Sequence, residues 1–285
     1  MKLKDVLDKS IQFFKDKKLD SPRLDAELLI AHALKLERMQ LYMKYEAPLS
    51  DAEVANCREV VRRRSQGEPV AYITGDKGFY GFNFIVGPGV LIPRPETEHL
   101  VELALDFIKL KKISNPRILD LGAGSGCVGF SVLKNQSDAT LVSVEKSAEA
   151  FAYLQKNCAE LNLTDRVELI HASANDLPIS LLEEFDIILA NPPYIAANDP
   201  ALENNVKKFE PSEALFAESN GLEILFAWTK QFTAVLKTPG LMAFEMGYLQ
   251  GPQMLKHVVD LNFFNTVEIV KDLSGLDRIV KGVRY

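Results

Sequence analysis

The sequence predicts an α/β protein: a mostly parallel sheet with an antiparallel last strand, joined through a β-hairpin to a small N-terminal helical bundle. Three observations carry this. Strand-like and helix-like segments alternate from Arg117 to the end. A turn of glycines, Gly122-Ala123-Gly124-Ser125-Gly126, follows directly on a short apolar strand. Residues 1–66 show helical periodicity instead. The expected boundaries are residues 1–69 for the helical domain, 70–92 for the hairpin linker and 93–285 for the sheet domain.

Val6, Leu7, Ile11 and Phe14 recur at helical spacing. Ser21-Pro22 starts a second helix, with Leu24, Leu28, Leu29, Ala31 and Leu34 as its apolar face. Ser50-Asp51-Ala52-Glu53 is a capping box that opens a helix through Arg62-Arg63-Arg64, ended by Gly67 and Pro69. Between residues 70 and 92, aromatic and β-branched residues interrupted by glycines predict the hairpin. A helix is expected from about Glu96 to Lys111. The expected strands are Arg117–Leu121, Thr140–Glu145, Val167–His171, Phe185–Asn191, Leu241–Met246, Thr266–Lys271 and Arg278–Val283. The loop between the last two is too short for a crossover helix, so they should be antiparallel.

Composition narrows the function. The chain has 285 residues, 47% hydrophobic and 25% charged, which excludes a disordered or fibrous chain. Apolar runs such as Ile187–Ala190 fall far short of the ~20 residues of a membrane span. Residues 1–20 alternate charged and apolar residues, unlike a signal peptide. Cys57, Cys127 and Cys158, and His32, His99, His171 and His257, are scattered, so neither a metal site nor a disulfide framework is expected. These features point to a cytoplasmic protein. Residues 1–75 carry 14 Lys+Arg against 12 Asp+Glu, net +2, and the remaining 19 against 27 give −8. Such an acidic half argues against stable nucleic-acid binding, which rests on phosphate neutralisation.

The glycine turn is a nucleotide-type signature in a Rossmann-like sheet. Gly124-x-Gly126-x-x-Gly129 also satisfies the dinucleotide pattern. Two details favour S-adenosylmethionine instead. Gly122 sits immediately after the strand, and Asp120 places a carboxylate where a cationic donor would lie. Glu145 ends the next strand and can accept both ribose hydroxyls.

Phe185–Ala190 runs into Asn191-Pro192-Pro193-Tyr194 at the same sheet edge. Two prolines stiffen the turn and hold Asn191 extended. A planar amide or aromatic amine is a poor nucleophile because its lone pair is delocalised. The Asn191 side-chain oxygen and the Pro192 carbonyl can accept its N–H groups and favour charge developing on nitrogen as it attacks a methyl group. Tyr194 can stack on the planar acceptor.

Asn-Pro-Pro-Tyr resembles the turn of amino-methyltransferases that use S-adenosylmethionine on adenine N6, guanine N2 or glutamine N5. The remaining motifs resemble one family among them, the PrmC/HemK protein-(glutamine-N5) methyltransferases. They are Glu68–Gly75, Phe79-Tyr80-Gly81, Val90–Glu98, Phe209-Glu210-Pro211, Glu245-Met246-Gly247 with Gln250, and Asp272–Arg278. The resemblance implies a SAM-dependent methyltransferase fold, and methylation of the glutamine in the Gly-Gly-Gln motif of class-I peptide chain release factors. It implies that the helical domain helps hold that partner. It carries over Gly122, Ala123, Gly124, Ser125, Gly126, Glu145, Ala174 and Asn191 as cofactor contacts. Asn191, Pro192, Pro193 and Tyr194, with Arg94 and Thr97, carry over as substrate contacts, and Asn191, Pro192 and Tyr194 as the catalytic group. The stretch Ala172-Ser173-Ala174-Asn175-Asp176 departs from the Asp followed by an aromatic or aliphatic residue that commonly touches the adenine in the family. A monomer without metal or membrane attachment is expected. The alternatives are a nucleic-acid amino-methyltransferase and a SAM-binding scaffold without catalysis.

Some residues have plainer readings. The Arg62–Arg64 run reads as a solvated helix end, and Trp228 as helix packing. Cys127 lacks a base beside it. Glu210 either orders the loop after Tyr194 or caps the helix near Pro211.

Overall fold

The computed structural model describes residues 1–196, 204–217 and 221–285. The chain forms two compact units, Met1–Asp76 with Asn204–Phe209, and Lys77–Glu203 with Glu210–Tyr285.

The first unit contains α1 (Leu3–Asp16), α2 (Pro22–Leu34), α3 (Arg38–Met43), α4 (Asp51–Ser65) and α5 (Val70–Thr74). Leu3, Leu7, Phe14, Leu29, Ile30, Leu41 and Cys57 close its core. The capping box forms: Glu53 N–H donates to Ser50 Oγ, and Ser50 N–H donates to Glu53 Oε2. The α2 face differs from the expectation. Leu24 and Leu28 are 41% and 36% exposed, while Asp25 and Glu27 are buried with Ala26, Leu29 and Ile30. The buried carboxylates turn the helix because each has cationic partners: Glu27 meets Arg23 and Arg38, and Asp25 meets Arg64. The arginine run is therefore paired within the unit, Arg62 with Glu59, Arg63 with Glu68 and Arg64 with Asp25. Residues 70–74, expected as the start of the hairpin, form α5, and the chain turns extended only after Gly75, whose φ is +84°.

The hairpin is formed by β1 (Asp76–Phe79) and β2 (Phe82–Ile85), in the second unit from Lys77 onward. Both residues of its two-residue turn have positive φ, Tyr80 at 47° and Gly81 at 79°, the geometry that matches strand twist. Tyr80 lacks glycine's freedom, but its N–H donates to Glu98 Oε1 at 2.8 Å, at the start of α6 (Glu98–Lys111).

The main sheet follows: β3 (Arg117–Leu121), α7 (Cys127–Asn135), β4 (Thr140–Glu145), α8 (Ala148–Glu160), β5 (Val167–His171) and β6 (Phe185–Ala190). A two-residue strand β7 (Ile195–Ala196) pairs in parallel with β8 (Phe216–Ala217). Between them lie α9 (Asn204–Phe209), grouped with the first unit, and α10 (Ser212–Leu215). The chain ends with α11 (Leu222–Gln231), β9 (Leu236–Glu245), α12 (Gly251–Asp260), β10 (Thr266–Lys271) and β11 (Asp277–Arg284). The strand order is β10-β11-β9-β6-β3-β4-β5. All pairings from β9 to β5 are parallel, and β11 inserts antiparallel between β9 and β10. β9 begins at Leu236, five residues before the expected Leu241, because Leu236 pairs with Phe185 across a register shift.

Alternation along the strands separates two apolar layers. Ile118, Leu141, Ile187, Leu241 and Ile279 face Leu100, Phe107, Phe130 and Leu154 of α6, α7 and α8. Leu119, Leu121, Val142, Ile188, Met242 and Val280 face Leu225, Trp228, Met254 and Val258 of α11 and α12. The result is a helix–sheet–helix sandwich in which β3 is the switch strand, with β4 on one side and β6 on the other.

Asn157 of α8 ties this layer to the hairpin. Its Oδ1 accepts from Ile85 N–H at 2.7 Å, and its Nδ2 donates to the carbonyls of Ile85 and Ser125. Asn157→Ala strands three backbone groups and should cost about 2–3 kcal/mol of stability. Asn157→Asp should cost more, because it sets a carboxylate against two carbonyl oxygens. Urea unfolding of both variants checks this ordering; equal costs would remove the role given to Nδ2.

Candidate active site

At the carboxyl ends of β3 and β4 lies a cavity of about 380 Å³, within the size range of small-molecule sites. The glycine turn forms its floor. Gly122, Gly124 and Gly126 have φ of +67°, +57° and +83°, a path open chiefly to glycine. The N–H groups of Gly122 and Ala123 both donate to Val144 O, which locks the turn against β4. Gly124 N–H donates to Glu145 Oε2 at 2.9 Å, and Ser147 N–H to Glu145 Oε1 at 2.8 Å. Glu145 is thus oriented by backbone donors while still lining the cavity.

Asp120 stands on the other side of the turn, 2% exposed. Its Oδ2 accepts from Gly129 N–H at 3.0 Å, in the first turn of α7. A Cβ on Gly129 would come within 2.7 Å of Leu141 and 2.9 Å of Asp120. The third glycine of the dinucleotide-like pattern therefore serves helix–strand contact. Burial raises the Asp120 carboxyl to about 7, with the nearby Glu145 charge adding to the rise and the Gly129 N–H opposing it.

These charges bear on what the cavity can hold. The α7 N-terminus already meets the Asp120 carboxyl, and Glu145, Glu149 and Glu213 also line the cavity, against Arg94 and Lys146. A pyrophosphate would face carboxyl groups there. A nucleoside with hydroxyls to donate and a cationic centre fits this set of acceptors, which favours the second of the two cofactor classes the glycine turn left open.

Ala172-Ser173-Ala174-Asn175 forms the next wall. Trp228 completes it, its indole N–H donating to Asn175 Oδ1 at 2.6 Å. A Cβ on Gly122 would lie 3.5 Å from the Trp228 ring. Trp228 is therefore core and cavity wall together. Its helical spacing with Ile224, Leu225 and Phe232 showed only the first role.

Asn191 and Pro193 line the cavity with Arg94 and Thr97. Asn191 Nδ2 donates to Thr97 Oγ1 at 3.2 Å. Pro192 is buried, and neither it nor Gly126 or Tyr194 is part of the lining. Gly126 is the N-cap of α7, where a Cβ would lie 2.3 Å from Phe130. The Tyr194 hydroxyl donates to Glu245 Oε1 at 2.9 Å, and Gln250 Nε2 donates to the Tyr194 carbonyl at 3.0 Å. Burial, with the Glu245 charge beside it, holds the Tyr194 hydroxyl well above its ordinary pKa, so the phenol stays a neutral donor. Burial also raises the Glu245 carboxyl, which the Thr97 and Tyr194 hydroxyls oppose.

Glu210 ties its segment to residues 92–94, while the loop after Tyr194 that it was expected to order lies partly outside the described residues. Its side chain is 2% exposed, accepting from Arg94 Nη2 at 2.6 Å and from Ile92 N–H at 3.2 Å. The N-cap of α10 is Pro211, with no side-chain cap. Burial raises the Cys127 thiol to about 12, so it stays protonated at neutral pH. Among the described residues no cluster of three His, Cys, Asp or Glu is placed to hold a metal ion, and no helix is long and apolar enough to cross a membrane.

Comparison with known proteins adds the lineage. Residues 5–75 match the PrmC N-terminal domain, and residues 102–227 the methyltransferase small domain. A release factor glutamine methyltransferase of Aliivibrio fischeri is 37% identical, covering 97% of this chain and 95% of that one. One of Neisseria gonorrhoeae is 38% identical, covering 92% and 93%. Among solved structures, the N-terminal domain of human METTL16 matches with a TM-score of 0.55 at 15% identity, covering 90% of this chain and 94% of that one; at that identity it bears on the fold alone.

A carboxyl that holds its proton more tightly folded than unfolded costs the folded state free energy once the pH is high enough to ionise it. For Asp120 the cost is absent below about pH 4 and grows until about pH 7. At 1.36 kcal/mol per unit it reaches about 4 kcal/mol at most. In the cofactor-free protein, the stability of wild type relative to Asp120→Asn should fall by up to that amount between pH 4 and 7, then run level. Urea unfolding across that range reads it, and a pH-independent difference would contradict the buried carboxyl.

Proposed function

The chain belongs to the release factor glutamine methyltransferase family, its cofactor is S-adenosylmethionine, and on that premise we propose how its residues divide the work. The substrate is a release factor, and we assign the acceptor to the side-chain amide of the glutamine in the Gly-Gly-Gln motif of a class-I factor. The nucleic-acid alternative is not favoured: the relatives named above are protein methyltransferases, and residues beyond 75 carry net −8.

Gly122, Ala123, Gly124 and Ser125 hold the cofactor against the floor of the cavity, with Gly126 setting the turn behind them. Glu145 accepts from the ribose hydroxyls, since its orientation is set by the Gly124 and Ser147 N–H groups. Ala174 lies against the base, in the wall that Trp228 completes. The bound cofactor supplies an electrophilic methyl group on a cationic sulfur.

The single observation that carries the acceptor side is Asn191, held by Thr97 at the cavity wall. With its Nδ2 committed, Asn191 presents Oδ1 as an acceptor. This oxygen and the Pro192 carbonyl receive the two N–H groups of the glutamine amide. They align the nitrogen for in-line attack and stabilise its developing positive charge. The methylated nitrogen is acidic and releases its proton to solvent, so no general base is needed. Pro193 and Arg94 border the entry. The Tyr194 ring closes the acceptor turn, anchored at its hydroxyl and carbonyl. The helical unit holds the release factor. We place the enzyme in the cytoplasm as a monomer without stable nucleic-acid binding.

Labelled S-adenosylmethionine and a purified class-I release factor test this reading, with a Gln-to-Ala factor as control. Label should appear on that glutamine and be absent from the control. Asn191→Ala should lower the rate roughly 10²- to 10³-fold while S-adenosylmethionine affinity changes little. Near-full turnover by that variant would reject the amide clamp.

A further inference from the structure

Ile279 of β11 pairs with Glu245 at the carboxyl end of β9, so the turn between β10 and β11 stands at the same sheet edge as Asn191. Two hydrogen-bonded turns lie along this edge. In the first, Gln250 N–H donates to Gly247 O at 2.9 Å and Gly247 N–H to Gln250 Oε1 at 2.8 Å, which sets Tyr248 and Leu249 at the tip. In the second, Asp272 Oδ1 accepts from the N–H groups of Ser274 and Leu276, and Asp272 N–H donates to Leu276 O, which sets Leu273 at the tip. Leu249 is 74% exposed and Leu273 98%, and Tyr248 and Leu276 are exposed with them.

The two turns are neighbours of each other and of the acceptor turn. Met246 N–H donates to Arg278 O, and a Cβ on Gly251 would run into the Asp277 carboxylate. Gln250, whose Oε1 closes the first turn, donates its Nε2 to Tyr194 O at 3.0 Å. β10 is the third strand from β6, so at the usual strand spacing the far tip stands about 14 Å along the edge from the acceptor turn.

Single exposed leucines are ordinary on a protein surface. Four large apolar side chains on two adjoining turns beside a reaction site form a patch, and apolar patches mark contact sites. The charges around them are already matched, Asp272 with Arg278 and Lys271 with Asp277. Covering this edge therefore buries apolar tips without stranding a charge. A protein acceptor also needs such a surface. A cavity of about 380 Å³ has room for small molecules, whereas a specific protein contact buries about 800 Å² on each side. The rim around the acceptor turn has to carry part of that contact, and this patch is continuous with it.

We propose that Tyr248, Leu249, Leu273 and Leu276 form a docking surface for the release factor, covered by an apolar face that flanks the target glutamine. The inference rests on the release-factor reading above and adds a contact that the helical unit does not supply. Both turns are hydrogen-bonded before the partner arrives, so binding has little backbone left to order.

Leu249→Asp and Leu273→Asp should each raise KM for the release factor about 10-fold, with kcat and Kd for S-adenosylmethionine within about 3-fold of wild type. The double variant should raise KM further than either single one, since the tips sit on separate turns. Leu273→Ala, which adds no charge, should move KM in the same direction. Leu273→Met keeps an apolar tip and should stay within about 3-fold of wild type. Leu110→Asp is the control: Leu110 is also exposed but lies at the end of α6 that leads into β3, and its variant should change nothing. Unchanged S-adenosylmethionine affinity shows that a variant folds; if an aspartate variant loses it, the Leu273→Ala and Leu273→Met pair carries the test. A wild-type KM in the double variant, a loss confined to kcat, Leu273→Met as impaired as Leu273→Asp, or Leu110→Asp as damaging as either would each overturn the docking surface. Wild type and the Gln-to-Ala factor run alongside separate the two levels. No label on the factor from wild type, or equal label on the control, rejects the release-factor reading. An active, site-specific wild type with patch variants at wild-type KM rejects only the docking surface.

Discussion

Parallel hydrogen bonding of Arg117–Leu121 between Thr140–Glu145 and Phe185–Ala190 is the constraint on which the site depends. A parallel ladder aligns the carboxyl ends of all three strands at one edge. It therefore brings the glycine turn, Glu145 and Asn191 together, although about 70 residues separate the first from the last. The two apolar layers hold that ladder in register, since a one-residue slip would turn Leu119 and Leu121 to the opposite face and Ile118 away from Phe130 and Leu154.

On this frame the polar groups work by fixing one another's direction. Glu145 is aimed by the backbone of Gly124 and Ser147, Asn191 by Thr97, Tyr194 by Glu245 and Gln250, and Arg94 by Glu210. Glu210, Glu245 and Thr97 are all deeply buried. At such positions a hydrogen bond is strong and an unmade one is expensive, so each group has one preferred orientation before any ligand arrives. That is preorganisation of the kind methyl transfer to a weak nucleophile requires. The same burial raises the Asp120 carboxyl next to the glycine turn, a stability penalty at a position suited to a cationic ligand.

The helical unit follows another logic. Its Arg62–Arg64 run reads as a solvated helix end, yet each of the three is paired with a carboxylate, and Arg64 reaches the buried Asp25. Binary patterning assigned Leu24 and Leu28 to the core because it weighs apolarity and spacing. It cannot see that Arg64 and Arg38 reach Asp25 and Glu27 from other helices, which makes their burial possible and rotates the helix face outward.

The sequence by itself determined the chain order of the seven main-sheet strands and most of the residues at their ends, because period-2 apolar runs, glycine turns and paired prolines act locally. Asn191 and the glycine turn were legible for that reason, and a family resemblance extended the reading to Arg94 and Thr97. Only the tertiary structure decided which partner each side chain meets. It showed Trp228 as a cavity wall and Gly129 as a packing glycine, set Asp120 against the Gly129 N–H in the first turn of α7, and brought Glu245 to Tyr194. Those contacts join residues 9 to more than 100 positions apart, and Trp228 lies 106 positions from the Gly122 it faces. Local periodicity carries no information across such distances, because the pairing is made by the sheet and not by the chain.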